Sequence, residues 1–91
     1  MILLQPLPQF STLTEDEVLS ALADPTPHNP ICFELTRLIR GYTDNFSEHV
    51  RRLGYVPEAI LTLRPSCPIE AVALRLTTGV LHSILANSSA P

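Results

Sequence analysis

The chain has 91 residues, 45% of them apolar, with six arginines, no lysine and a formal net charge of −3. That length makes one small domain with a modest core, and the apolar share excludes wholesale disorder. The negative balance argues against a dedicated nucleic-acid binder, which is ordinarily far more basic.

The charge is unevenly spread. Residues 1–30 carry Glu15, Asp16, Glu17 and Asp24 and no basic side chain, giving −4, while residues 31–91 set six arginines against Glu34, Asp44, Glu48, Glu58 and Glu70, giving +1. Cys32 and Cys67 form no CxxC pair, and the opening MILLQPLPQF holds two prolines and no basic residue, unlike a signal segment. No uncharged run approaches the ~20 residues that span a bilayer. The expectation is a reduced, cytoplasmic chain with no membrane segment.

Residues 1–12 read as an extended N-terminal arm. Pro6 and Pro8 keep it out of a helix, and Leu3, Leu4, Leu7 and Phe10 give it apolar surface to bury, on its own domain or on a second subunit. Residues 13–87 make a single helical domain, and 88–91 a frayed tail. Thr14 and Glu17 spell a capping box, flanked by Leu13 and Val18 as a hydrophobic staple. The acidic first turn complements the helix dipole, so the acidic cluster needs no cationic partner. This first helix should end near Ala23, before the proline-rich linker DPTPHNP at 24–30.

Asn29 and Pro30 open a second helix. Ile31, Leu35, Leu38, Ile39 and Tyr42 give it the cleanest amphipathic stripe in the chain. Gly41 to Asp44 reads as a turn, and Asn45 with Glu48 as the cap of a third helix whose apolar face is Phe46, Val50 and Leu53. Gly54 suits a left-handed helix terminator. Pro57 suits the first turn of a fourth helix that points Ile60 and Leu63 into the core. After the break at RPSCP, Pro68 begins a fifth and longest helix, running to about Ala86.

That last helix carries two apolar rows, Ile69, Val72, Leu76, Val80 and Ile84 on one side and Leu74, Leu81 and Leu85 on another. So broad an apolar surface is hard to bury within one small chain. The expectation is a two-fold dimer that uses Leu74, Leu81 and Leu85, with Gly79 permitting close approach of another helix. No internal repeat and no convincing strand is present. The fold class is therefore all-α, a compact bundle of about five helices.

Catalysis and metal binding find little footing. His28, His49 and His82 stand 21 and 33 residues apart, and the cysteines 35 apart, so no metal-ligand spacing occurs. No phosphate-binding glycine loop, nucleophile elbow or apolar carboxylate pair appears. The chain is expected to be a non-enzyme with no cofactor and no metal.

Residues 47–64 remain. Val50, Leu53, Gly54, Ile60 and Leu63 stand at the spacings of the helix-turn-helix of phage-repressor-like regulators, and the stretch resembles that motif over about a fifth of the chain. The resemblance implies a helix-turn-helix-like centre and places Val56, Pro57, Glu58, Leu61 and Thr62 on the outward face of the second helix. Base readout favours Arg, Lys, Asn and Gln, and that set contains none. Arg51, Arg52 and Arg64 could reach phosphates, but three contacts are few. Two functions follow from these residues. The first is a small regulatory or adaptor protein that docks another protein through Tyr55, Val56, Pro57, Glu58, Leu61 and Thr62, with Arg51, Arg52 and Arg64 at the rim. The alternative is a dimeric DNA-binding transcriptional regulator reading two major grooves about 34 Å apart. Whether Leu61 is surface or core is open at this level. Arginines gathered on one face favour DNA, and arginines tied to carboxylates disfavour it.

Overall fold

The computed structural model describes residues 4–24 and 26–88. There are three α-helices, α1 (Glu15–Ala23), α2 (Pro30–Arg52) and α3 (Pro68–Ser88), with a 3-10 segment before α1, Pro8–Phe10, and another between α2 and α3, Pro57–Thr62, and no strand occurs among the described residues. The protein is all-helical.

The helix starts follow local chemistry. Thr14 Oγ1 accepts from the Glu17 N–H at 3.2 Å and Glu17 Oε1 accepts from the Thr14 N–H at 3.0 Å, closing the capping box of α1. Asn29 Oδ1 accepts from the Ile31 N–H at 2.9 Å, with Pro30 in the first turn of α2. The left-handed terminator is also where expected: Gly54 has φ +77° just past the end of α2.

The predicted turn at Gly41–Asp44 is absent. Helix α2 runs through it for 23 residues, so the expected second and third helices are one, and Asn45 lies inside a helix rather than capping one. The reason is burial. Leu35, Leu38, Tyr42 and Val50 continue a single apolar stripe across the supposed break, and all four are buried. That burial outweighs the ~1 kcal/mol that a mid-helix glycine costs. Gly41 serves a different purpose: a Cβ at this position would sit 2.8 Å from Leu4 Cδ2, so its bare backbone is the seat on which the N-terminal arm rests.

The arm packs on its own domain. Arg37 Nη2 donates to the Gln5 carbonyl at 3.0 Å, Tyr42 Oη donates to the Leu4 carbonyl at 3.1 Å, and the Leu7 N–H donates to Glu34 Oε2 at 2.6 Å. Glu34 is a buried carboxylate neutralised by Arg37, whose Nε and Nη2 both lie 2.7 Å from its oxygens. Those bonds hold the Glu34 carboxyl below the usual carboxylate range against the opposing effect of burial. Burial pushes the Tyr42 phenol well above its ordinary value. The arm's first three residues and the chain's last three lie outside the described residues.

Helices α2 and α3 form the main interface, with α1 and the Pro57–Thr62 segment laid against α3. Their shared core holds Val18, Leu35, Leu38, Tyr42, Val50, Ile60, Ile69, Val72, Leu74 and Leu81. The dimer face expected on α3 is corrected by this packing. Leu74 and Leu81 are 2% and 0% exposed within the single chain, and Leu85 is half-buried against the core, so these residues offer a second subunit almost nothing. Leu76 and Val80, from the other apolar row, are exposed. The helix contains a run apolar enough to cross a membrane by length and composition, Pro68–Asn87; Ile69, Val72, Leu74 and Leu81 in it are core residues, while Leu76 and Val80 are exposed. Thr77 and Thr78 keep the buried face satisfied by donating to the Ala73 and Leu74 carbonyls at 2.7 and 3.0 Å. A Cβ at Gly79 would meet nothing within 4 Å, so no helix of this chain makes the close approach that its small size allows.

Candidate docking groove

Beyond Gly54 the chain turns back on α2. The Leu53 and Tyr55 N–H groups both point at the His49 carbonyl, at 3.1 and 3.4 Å, which ends the helix and aims residues 55–56 along its flank. Val56 is extended, with φ −77° and ψ 142°, and Pro57 starts the 3-10 segment. This segment is six residues long, where the sequence pattern predicts an α-helix. Pro57 and Ile60 are buried and anchor it to the core. Pro57 is therefore removed from the outward set in which the helix-turn-helix spacing puts it.

A tight 3-10 turn is too short to cover the end of α2. The result is an open apolar groove of about 370 Å³, with Phe46, His49, Val50 and Leu53 on one wall and Tyr55, Val56, Ala59, Ile60 and Leu63 on the other. Three of its large side chains stand well out of the protein: Leu53 is 66% exposed, Val56 61% and Tyr55 56%. The His49 ring bridges the walls, 6.4 Å from the Phe46 ring and 6.0 Å from the Tyr55 ring, tilted to both.

The candidate residues divide. Tyr55 and Val56 line the groove. Leu61, at 46% exposed, is a surface residue, and it lies with Thr62 off the groove; the Thr62 hydroxyl donates to the Ala59 carbonyl at 2.7 Å. Glu58 is exposed, and its carboxylate contacts His82 Nε2 on α3; its own backbone N–H, and then His82, hold it below the usual carboxylate range. Arg51, Arg52 and Arg64 are exposed, and none of them lines the groove. At about 100° per residue, Arg51 and Arg52 fall about 150° and 110° round the helix from the centre of the lining face.

The groove residues that sequence reasoning left out of the candidate site are Phe46, His49, Val50, Leu53, Ala59, Ile60 and Leu63. Their sequence signal was the apolar cluster on both sides of Gly54, which reads equally well as core.

The arginines do not gather into one cationic face. Arg37 pairs with Glu34 at 2.7 Å, Arg52 with Glu48 at 2.5 Å and Arg75 with Glu15 at 2.6 Å; among the described residues Arg40, Arg51 and Arg64 make no ion pair. A second, smaller recess of about 170 Å³ lies where α1 meets α2, beside His28, Cys32 and Phe33. His28 there has φ +63° and stacks on Phe33, with ring centroids 6.1 Å apart. The Cys32 thiol donates to the Ala21 carbonyl at 3.3 Å, and both cysteines are free. Among the described residues no three His, Cys, Asp or Glu side chains converge as metal ligands. No family model, curated protein or solved structure matches the chain.

Proposed function

We propose that this chain is a small, non-enzymatic, cytoplasmic regulatory or adaptor protein that takes an apolar segment of a protein partner into the groove between the end of α2 and Pro57–Thr62. The observation that supports this reading is the exposure of Leu53, Tyr55 and Val56 around one concavity. Contiguous apolar side chains left in water on a small domain mark an interaction site, and a partner's apolar side chain entering the groove recovers the burial that the short 3-10 turn leaves unfilled.

The alternative, a dimeric helix-turn-helix regulator of transcription, draws on the spacing of Val50, Leu53, Gly54, Ile60 and Leu63. Two observations weigh against it. A six-residue 3-10 turn stands where a recognition helix belongs, and three of the six arginines are tied to carboxylates.

Selection of a displayed peptide library on the full chain tests the proposal. Apolar sequences should be enriched, and they should lose binding to Val56→Glu, a variant that keeps the helical circular-dichroism spectrum and melting temperature of the parent. Sequences that bind parent and variant equally would refute docking in the groove. In parallel, fluorescence anisotropy with mixed-sequence duplex DNA should show no binding even at low salt. Binding with a steep salt slope would restore the DNA reading.

A further inference from the structure

We infer that residues 4–7 form a detachable strap on α2, closed while the Glu34 carboxylate is ionised and opened by its protonation, with the α2–α3 core left intact. The groove plays no part in this device.

The strap is held by polar side chains more than by burial. No residue from Leu4 to Leu13 is fully buried. Among the described residues, the hydrogen bonds from Leu4–Leu7 to other elements end on three side chains of α2. Glu34 accepts from the Leu7 N–H, Arg37 donates to the Gln5 carbonyl and Tyr42 donates to the Leu4 carbonyl. The apolar part of the hold is Leu4 on the bare backbone of Gly41. A segment with so little buried surface opens at a lower cost than the core it lies on.

Two of the three bonds depend on one charge. Glu34 Oε1 and Oε2 hold Arg37 Nε and Nη2 at 2.7 Å, and the same Nη2 donates to Gln5. Protonating Glu34 removes the charge assistance of the Leu7 bond. It also removes the partner that fixes Arg37, whose side chain is 38% exposed and can turn to water, releasing the Gln5 carbonyl.

The surrounding groups leave Glu34 as the one trigger in acid. Arg37 and Tyr42 face it from α2, and the strap itself has no ionisable side chain. Burial raises the Tyr42 phenol, which therefore stays protonated, and Cys67 and Glu70, before and on α3, act on Tyr42. On α1, Glu15, Asp16 and Glu17 are exposed, and Glu15 pairs with Arg75. The Arg37 bonds lower the Glu34 carboxyl most, burial opposes them, and the Leu7 bond adds to the lowering. The closed strap is thus favoured above the open-state pKa of this carboxyl and lost as pH falls through the closed-state one.

The test follows the full ¹³C,¹⁵N-labelled chain by NMR from pH 7 to pH 3. The Leu7 amide should titrate with the Glu34 carboxyl carbon, and residues 4–7 should gain fast motion through that midpoint while the amides of α2 and α3 stay ordered. Glu34→Gln should loosen the strap already at pH 7, raising hydrogen exchange at Leu7 about 10-fold or more, the worth of one hydrogen bond to a charged group. Gly41→Leu is a second handle that leaves the carboxylate in place and fills the seat of Leu4. Its strap should lift at neutral pH, and its Glu34 midpoint should rise toward the ordinary carboxylate range, as reciprocal coupling requires. Strap and core losing order at one pH, or Leu7 staying ordered through the Glu34 titration, would overturn the inference. So would a Gly41→Leu chain with an unchanged Glu34 midpoint.

Discussion

Three residues, Gly54, Gly79 and Glu34, have effects that can be read from local geometry. Gly54 holds φ +77°, a left-handed conformation that costs an L side chain roughly 1–2 kcal/mol. Gly79 sits in a helix with open space around its missing Cβ. Urea unfolding should therefore move in opposite directions for the two alanine variants. Gly54→Ala should lose about 1 kcal/mol, and Gly79→Ala should gain about 0.5–1 kcal/mol from helix propensity. Glu34 sets an acid limit. Its carboxyl is held below the ordinary 4.5 by hydrogen bonds from Arg37 and the Leu7 N–H. A group whose folded pKa lies below its unfolded value contributes stability that is present above the unfolded value and lost as pH falls through the folded one. The urea midpoint should thus hold near neutral pH and fall below about pH 4.5, and Glu34→Gln should remove the part of that fall due to this residue. The capping box at Thr14 and Glu17, the Asn29 cap and the Gly54 terminator were all legible in the sequence, because each is closed by atoms within a few residues of one another. The clasp on the arm was not legible beyond the Glu34–Arg37 pairing, since Leu7 bonds to Glu34, Gln5 to Arg37 and Leu4 to Tyr42 from far along the chain.

At the scale of elements, the long helices and the short turn between them follow different rules. Helix α2 survives its glycine because the stripe from Leu35 to Val50 is buried along its length. The segment Pro57–Thr62 stops at six residues, held by Pro57 and Ile60 in the core. Helix α3 buries residues of both apolar rows: Leu74 and Leu81 turn inward with Ile69 and Val72, while Leu76 and Val80 turn out. Leu81→Ala should destabilise the chain by roughly 2–5 kcal/mol in thermal or urea unfolding, the cost of a cavity at a fully buried site. Leu61→Glu, on the surface of the 3-10 segment, should change stability by no more than about 0.5 kcal/mol. The reverse order would show that the packing of these two elements has been misassigned. The amphipathic pattern fixes that α3 has apolar rows; which row faces α2 depends on a neighbour 30 or more residues away.

The whole molecule measures 40 × 27 × 17 Å. The short axis leaves room for two layers of helix, and α2 by itself is about 35 Å long at 1.5 Å per residue. A core this thin is covered at the middle of α2 by the arm on Gly41 and left open at the end of that helix, where Leu53, Tyr55 and Val56 surround the groove. The ion pairs Arg52–Glu48, Arg75–Glu15 and His82–Glu58 are all solvent-exposed. Raising salt to about 0.5 M should therefore change the unfolding free energy by less than about 1 kcal/mol, and a larger loss would mean that charge, not the α2–α3 core, carries the fold. By itself the sequence determined the all-helical class, the ends of α1, the start of α2 and the terminator at Gly54, because those features arise from periodicity and from side chains bonding to nearby backbone. Only the tertiary structure decided that α2 crosses Gly41, that Leu74 and Leu81 are core, and that the groove stays open. Each of those outcomes depends on burial against residues distant in the chain, a quantity that no local pattern contains.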